Sequence, residues 1–145
     1  MKMKNILSLV GISLMGTALA QAAPTVVCPP LQNFSIKASL IGIRTVLFNS
    51  ISYNSREWGG TLTVDSTITT DKELRGLVEQ AIKQVSIASN LALPYKDEFF
   101  LCSDGYLTPN GPNYVNLPEH VTDVTITTPP PSSPKAAAEA RKAGR

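Results

Sequence analysis

Apolar residues recur along this chain with three different periods, and each period predicts a different kind of element. Residues 34–40 alternate strictly, with Phe34, Ile36, Ala38 and Leu40 on one face and Ser35, Lys37 and Ser39 on the other. That period of two marks a half-buried strand. A second strand is predicted over 43–48 after a bend at Gly42, and a third over 61–68, where Trp58-Gly59-Gly60 leads into a run rich in β-branched residues. The polar, turn-rich stretch 49–57 reads as the connection, so that three antiparallel strands joined by short turns fit this region. From Asp71 to about Ser89 the period becomes helical: Leu74, Leu77, Val78, Ala81, Ile82, Val85 and Ala88 fall on one side. Thr70 with Glu73 forms a capping box, and Asp71 with Arg75 and Glu79 with Lys83 pair on the polar side. This helix is expected to lie on the sheet, closed by Asn90 and Pro94. Two more strands are predicted, 98–103 carrying Cys102 and 121–127 with Val124 and Ile126 alternating. Residues 104–119 between them hold Gly105, Pro109, Asn110, Gly111, Pro112, Asn113 and Pro118, too many turn formers for regular structure.

The third period is a continuous apolar run over 6–18, broken only by small residues. It follows the basic start Lys2 and Lys4 and precedes two small-x-small sequences, Ala18-Leu19-Ala20 and Ala20-Gln21-Ala22. Such a leader directs export and is cut off, here after about residue 22, because the run is shorter than the roughly 20 residues a spanning helix needs. Cys28 follows Val26-Val27, not the small residue that a lipoprotein signal places before its cysteine. The expected mature form is a soluble single domain over 23–128, with no transmembrane segment, that ends in a Pro-rich and basic tail over 129–145. Pro129-Pro130-Pro131-Ser132-Ser133-Pro134 is an extended spacer and 135–145 is too short to fold alone.

Charge changes this picture little. The chain has 13 Lys and Arg against 11 Asp and Glu, and loss of Lys2 and Lys4 makes the two equal. The body over 23–128 is mildly acidic and the tail carries Lys135, Arg141, Lys142 and Arg145. Four cations without interleaved aromatics make no nucleic-acid signature. Only two cysteines are present, Cys28 and Cys102, and in an oxidising compartment they are expected to form one intramolecular disulfide. A free thiol, an intermolecular bridge and a thiolate ligand are the rival readings.

Catalytic and metal signatures are missing: there is no H-E-x-x-H, C-x-x-C, phosphate-cradling glycine motif or G-x-S-x-G elbow. His120 is the single histidine, so a hydrolase of the common kind would have to use it as base, and nothing beside it marks a nucleophile. An enzyme is not expected. His120 reads either as a loop histidine or as a ligand to haem iron, for which Tyr106 and Tyr114 in the same loop are alternative donors. Phe99, Phe100, Leu107, Val115 and Leu117 could supply apolar company to a porphyrin, and Arg44, Arg56 or Lys96 could pair with its carboxylates. Trp58, the only tryptophan, reads either as a core anchor beside the disulfide or as a binding platform for a flat ligand.

The leader, Cys28 before Pro29-Pro30, Trp58-Gly59-Gly60 at the start of a strand, a single helix and Leu101-Cys102 together give a layout that resembles the small exported proteins of unknown function from intracellular Gram-negative pathogens, some named hemin-binding protein Hbp. The resemblance implies a periplasmic, surface-associated or secreted location and hemin capture. From the periodicities and the two cysteines the expected fold is α+β, a small antiparallel sheet packed by one helix with one disulfide. The expected function is non-enzymatic binding, with haem as the candidate ligand and His120, Tyr106 and Tyr114 as candidate haem ligands. The alternative is an interaction protein that engages an envelope or host protein through its surface or basic tail.

Overall fold

A computed structural model describes residues 25–40, 43–95, 99–105 and 111–130. The expected leader and the expected tail beyond residue 130 lie outside the described residues, as do residues 106–110, which include Tyr106. A short 3-10 turn at Leu31–Asn33 precedes β1 (Ile36–Leu40), β2 (Thr45–Phe48), β3 (Ile51–Tyr53) and β4 (Arg56–Val64). Helix α1 (Asp71–Gln84) follows, then β5 (Ser86–Ile87), β6 (Leu93–Tyr95), β7 (Phe99–Ser103), β8 (Tyr114–Val115) and β9 (Val121–Thr128). Seven strands form one antiparallel sheet in the order β1-β2-β4-β9-β7-β6, with β3 beside the first residues of β4; β5 and β8 make a separate pair. Among the described residues the fold is α+β with one helix, as the periodicities predict, and with one disulfide, as the two cysteines of the sequence predict.

Residues 49–57 depart from the expected plain connection. Tyr53 faces Arg56 across a two-residue turn at Asn54 and Ser55, whose φ values of 50° and 63° are those of a type I′ hairpin turn. Leu47 faces Thr61 and Ile51 faces Trp58, so one extra residue lies on the β2–β3 side. That bulge turns β2, β3 and β4 into one long bent hairpin. Gly60 stands opposite Ile126 of β9, and a Cβ there would lie 2.1 Å from the Thr125 carbonyl oxygen. Only glycine fits this close approach of β4 to β9.

At the start of α1, Thr70 Oγ1 accepts the Glu73 N–H at 3.2 Å and the Glu73 carboxylate accepts the Thr70 backbone N–H, the two bonds of a capping box, while the Thr70 hydroxyl also donates to that carboxylate at 2.9 Å. Arg75 and Asp71 pair at 2.7 Å. Leu74, Val78 and Ala81 are buried in the same core as Val46, Phe48, Leu62, Val124 and Ile126 from the sheet. The helix ends at Gln84, five residues before the predicted end. Val85 is still buried, but in extended backbone, and Ser86–Ile87 pair with Tyr114–Val115 instead of extending the helix. Gln32 replaces the lost helical bonds by donating Nε2–H to the carbonyls of Ile82 and Val85 at 2.6 and 3.0 Å.

The N-terminal strap is sewn to the body at several points. Cys28 N–H donates to Asn90 at 2.7 Å, Ala92 N–H donates to Val26 at 2.9 Å, and the Cys28–Cys102 disulfide closes with a Cα–Cα distance of 6.0 Å. Both cysteines are wholly buried. The long loop is also tied down from inside. Buried Asn113 accepts the Ser103 N–H at 3.1 Å and donates Nδ2–H to the carbonyls of Ser89 and Leu91 at 2.9 and 2.7 Å. Among the described residues no helix is long and apolar enough to cross a membrane.

Candidate functional site

The structure separates the residues that the sequence groups together. Tyr114 is buried, and its hydroxyl donates to the Pro29 carbonyl at 2.7 Å. Burial, and secondarily the nearby Tyr53, push its phenol pKa upward, which is opposite to what a tyrosinate ligand needs. Tyr114 is therefore a bolt between the loop and the N-terminal strap, a correction to its expected role as a haem ligand. Trp58 is also fully buried, with Nε1–H donating to Tyr53 at 3.3 Å. The cavity it lines with Val26, Tyr53 and Arg56 holds about 40 Å³, room for roughly one water and not for a ring. Trp58 belongs to the core, in the cluster that contains Cys28 and Cys102, and the binding-platform reading is corrected accordingly.

His120 sits differently. It occupies the turn into β9 with φ of 76°, and its carbonyl accepts the Asp65 N–H at 2.9 Å. Asp65 follows the last residue of β4, where its carboxylate caps a turn by accepting the Thr67 N–H at 2.9 Å and the Thr67 hydroxyl. The second carboxylate oxygen lies 2.9 Å from His120 Nδ1, and Thr67 Oγ1 lies 3.0 Å from the same nitrogen. Since the Thr67 hydroxyl hydrogen is given to Asp65, Nδ1 is the protonated ring nitrogen and donates to this pair of acceptors. Nε2 is then left as the lone-pair nitrogen of the neutral ring, on a side chain that is 38% exposed.

The electrostatics agree with the geometry. Hydrogen bonds from Thr67 and then from His120 hold the Asp65 carboxyl down at about 2, below its ordinary 3.8. The hydrogen bond to Asp65, reinforced by the charges of Asp65 and Glu119 and opposed by partial burial, raises the pKa of His120 above its ordinary value. Thr67 shares Nδ1 with Asp65 instead of standing at Nε2. The trio is therefore not arranged as a nucleophile, base and acid in series, which needs its hydroxyl on the opposite ring nitrogen. Its chemistry is that of an oriented imidazole with raised basicity, the form in which histidines bind metal ions.

The residues around this end of the sheet are set by β4. The Val64 N–H donates to the Arg44 carbonyl at 2.9 Å, so Arg44 and His120 flank the consecutive residues Val64 and Asp65. Ile43 beside Arg44 is 60% exposed. The other proposed companions lie elsewhere. Phe100 faces Thr128, eight residues along β9 from His120, which is about 25 Å of strand. The Arg56 guanidinium stacks on Phe100 at 5.0 Å, at that far end, and Lys96 and Leu107 are outside the described residues. Val115 is paired with Ser86 in the small sheet, and Leu117 packs on the core. Sequence reasoning names His120 but misses Asp65 and Thr67. The one local signal for them is Asp65-Ser66-Thr67 at a strand end, which reads as a turn and gives no hint of its partner.

A second surface feature is an open groove of about 450 Å³ lined by residues 87–91, where Ile87 and Leu91 are each 38% exposed. Among the described residues no group of three or more His, Cys, Asp and Glu is placed to hold a bare metal ion. Comparison of the chain with protein-family models, curated proteins and solved structures gives no match.

Proposed function

We propose that this chain is an exported, non-enzymatic binding protein whose ligand is hemin, with the iron taken by His120 Nε2. The observation that carries the reading is the single histidine, held through Nδ1 by Asp65 and Thr67 so that Nε2 keeps its lone pair, on a side chain that is 38% exposed. A free surface histidine samples many orientations, whereas this one is fixed and made more basic before any ligand arrives. The leader at residues 1–22 and the layout shared with small exported proteins, some named hemin-binding, support the same reading. With Tyr114 taken up inside the fold, His120 is the donor among the described residues on which the proposal rests.

The test is a hemin titration of the oxidised protein followed at the Soret band, with His120→Ala alongside. Saturable one-to-one binding, weakened by about tenfold or more in the variant, is the expected result, since one lost iron bond is worth at least a factor of this size. Unsaturable binding, or affinity indifferent to the substitution, overturns the proposal.

The open groove favours a second reading. Ile87 and Leu91 are two large apolar side chains exposed side by side on one short stretch, the composition of a protein contact. On this reading the chain docks an envelope or host protein there, and Leu91→Glu abolishes capture while leaving hemin binding intact.

A further inference from the structure

The α1 side of the large sheet is filled by one apolar cluster, to which the strands contribute Val46, Leu62, Cys102, Val124 and Ile126. Neighbouring residues of a strand point to opposite sides, so the residues between these define a second face. There Leu47 pairs with Thr61, Thr61 with Thr125 and Thr125 with Ser103, and Thr127 pairs with Leu101 in the next row. This face is as dry as the first. Thr125, Thr127 and Leu101 are 1%, 0% and 1% exposed, and Asp123 on the same face is buried with them. Leu47 and Leu101 nevertheless stand outside the apolar cluster, which takes in α1, the 3-10 turn, the N-terminal strap and Tyr114. Those elements therefore cover the other face, and a buried sheet face needs a layer of its own. Ser52 and Glu57, on the second face beside the β3 edge, are exposed, so the layer lies over β2, β4, β9 and β7 and stops there.

We propose that the C-terminal segment 131–145 folds back over this second face and is the layer that keeps it dry. The chain leaves β9 at Thr128, between β4 and β7 in the middle of the sheet's end, where the α1 side is already filled. The Pro-rich stretch 129–134, fully extended, reaches about 19 Å, enough to turn the chain back. As a helix, residues 135–145 extend about 16 Å, against about 14 Å across the four covered strands. Ala136, Ala137, Ala140 and Ala143 fall on one side at helical spacing, and small side chains meeting a face of Thr, Ser and Gly59 allow close approach. The Thr125 hydroxyl donates to Asp123 at 2.8 Å and that of Thr127 to the Pro129 carbonyl at 3.3 Å, so an apolar cover leaves neither unsatisfied. Charge agrees as well: the face holds Asp123 and is edged by Glu57, while the segment carries Lys135, Arg141, Lys142 and Arg145 against Glu139 alone. A stretch too short to keep a helix by itself gains one by burying its alanine side. The proposal is independent of the hemin reading.

Methyl NMR of the exported protein, labelled at Ala, Leu and Thr, tests this directly. Nuclear Overhauser contacts are expected between the methyl groups of residues 136–143 and those of Thr61, Leu101 and Thr125. A soluble gadolinium chelate should broaden the half-exposed Leu91 methyls and leave those of Leu101 and Thr125 sharp. Truncation after Pro130 should remove that protection while Trp58 emission, the sign of an intact core, stays unchanged. Ala140→Asp in the full-length chain should remove it too, and decides the matter if the truncated chain does not fold. Leu101 and Thr125 methyls broadened as much as Leu91 in the unaltered protein would show an open face and overturn the proposal. Protection that survives both changes assigns the cover to another part of the chain, and protection lost on dilution together with a dimer in sedimentation assigns it to a second copy; either result overturns the tail as occupant.

Discussion

Asp65, Thr67 and His120 are the smallest unit on which the account depends, and their protonation gives it a pH signature. Asp65 titrates at about 2 in the folded chain against an ordinary 3.8, so its contribution to stability is fully present above about pH 4 and is lost as the pH falls towards 2. His120 is shifted the other way. Its contribution is fully present below its ordinary 6.5 and is lost as the pH rises through the raised folded value. The pair therefore supports the fold best between about pH 4 and 6.5. In Asp65→Asn the His120 titration, followed by NMR of the single imidazole, should move back down towards 6.5; an unmoved midpoint would show that the carboxylate does not govern the ring. At this scale the sequence is only half readable. A lone histidine stands out, but its carboxylate is 55 residues away, and no local pattern announces a contact that only the pairing of β4 with β9 creates.

Elements with a strong period are the ones the sequence names correctly. Helix α1 starts where Thr70 and Glu73 predict, and β1, β7 and β9 follow alternation or apolar runs to within two residues. Three boundaries fail for identifiable reasons. The strand expected over 61–68 runs instead as β4 over Arg56–Val64, because residues 56–60 already pair with β3 and β9 and Asp65 turns the chain through its bond from the Thr67 N–H. The apolar period continues past Gln84 through Val85, yet a buried residue can satisfy it in extended backbone as well as in a helix, and pairing with β8 decides for the strand. In 49–57 the polar composition hides a hairpin, because Asn54 and Ser55 are turn residues while Ile51 and Tyr53 alternate too briefly to register. Gly60 and Asn113 are the element-level tests. Gly60→Ala forces a methyl group against the β9 backbone and should cost about 3 kcal/mol in denaturant unfolding. Asn113→Ala strips three hydrogen bonds from a wholly buried side chain and leaves the Ser89 and Leu91 carbonyls and the Ser103 N–H unpaired, for a loss also of about 3 kcal/mol. A change below 1 kcal/mol in either, roughly the level of an ordinary surface substitution, would mean that the backbone relaxes around the site.

Across the whole molecule, one covalent bond and one buried tyrosine join parts that are distant in sequence. Cys28 and Cys102 are separated by 74 residues, and closing a loop of that size stabilises the fold by about 4 kcal/mol in the chain-entropy model. Replacing both cysteines with serine should lower unfolding stability by about this amount, read from Trp58 emission. A much smaller loss would indicate that Tyr114, Asn90 and Val26 hold the strap without the bond. The bridge itself is legible from the two cysteines of the sequence together with the export that its first residues lead one to expect. The Tyr114 bolt is not, since a tyrosine in a turn-rich loop looks equally suited to the surface. The core thus fixes β4 and β9 side by side, and their shared end carries His120. Because the chain has one histidine, the central claim reduces to the state of one ring. The most direct measurement is long-range proton–nitrogen NMR of protein labelled with 15N at histidine, with and without diamagnetic zinc protoporphyrin IX. The account predicts that the neutral ring carries its proton on Nδ1 and that only Nε2 shifts to a metal-bound position when the porphyrin is added. A neutral ring protonated at Nε2, or an Nε2 resonance that the porphyrin leaves in place, would contradict it.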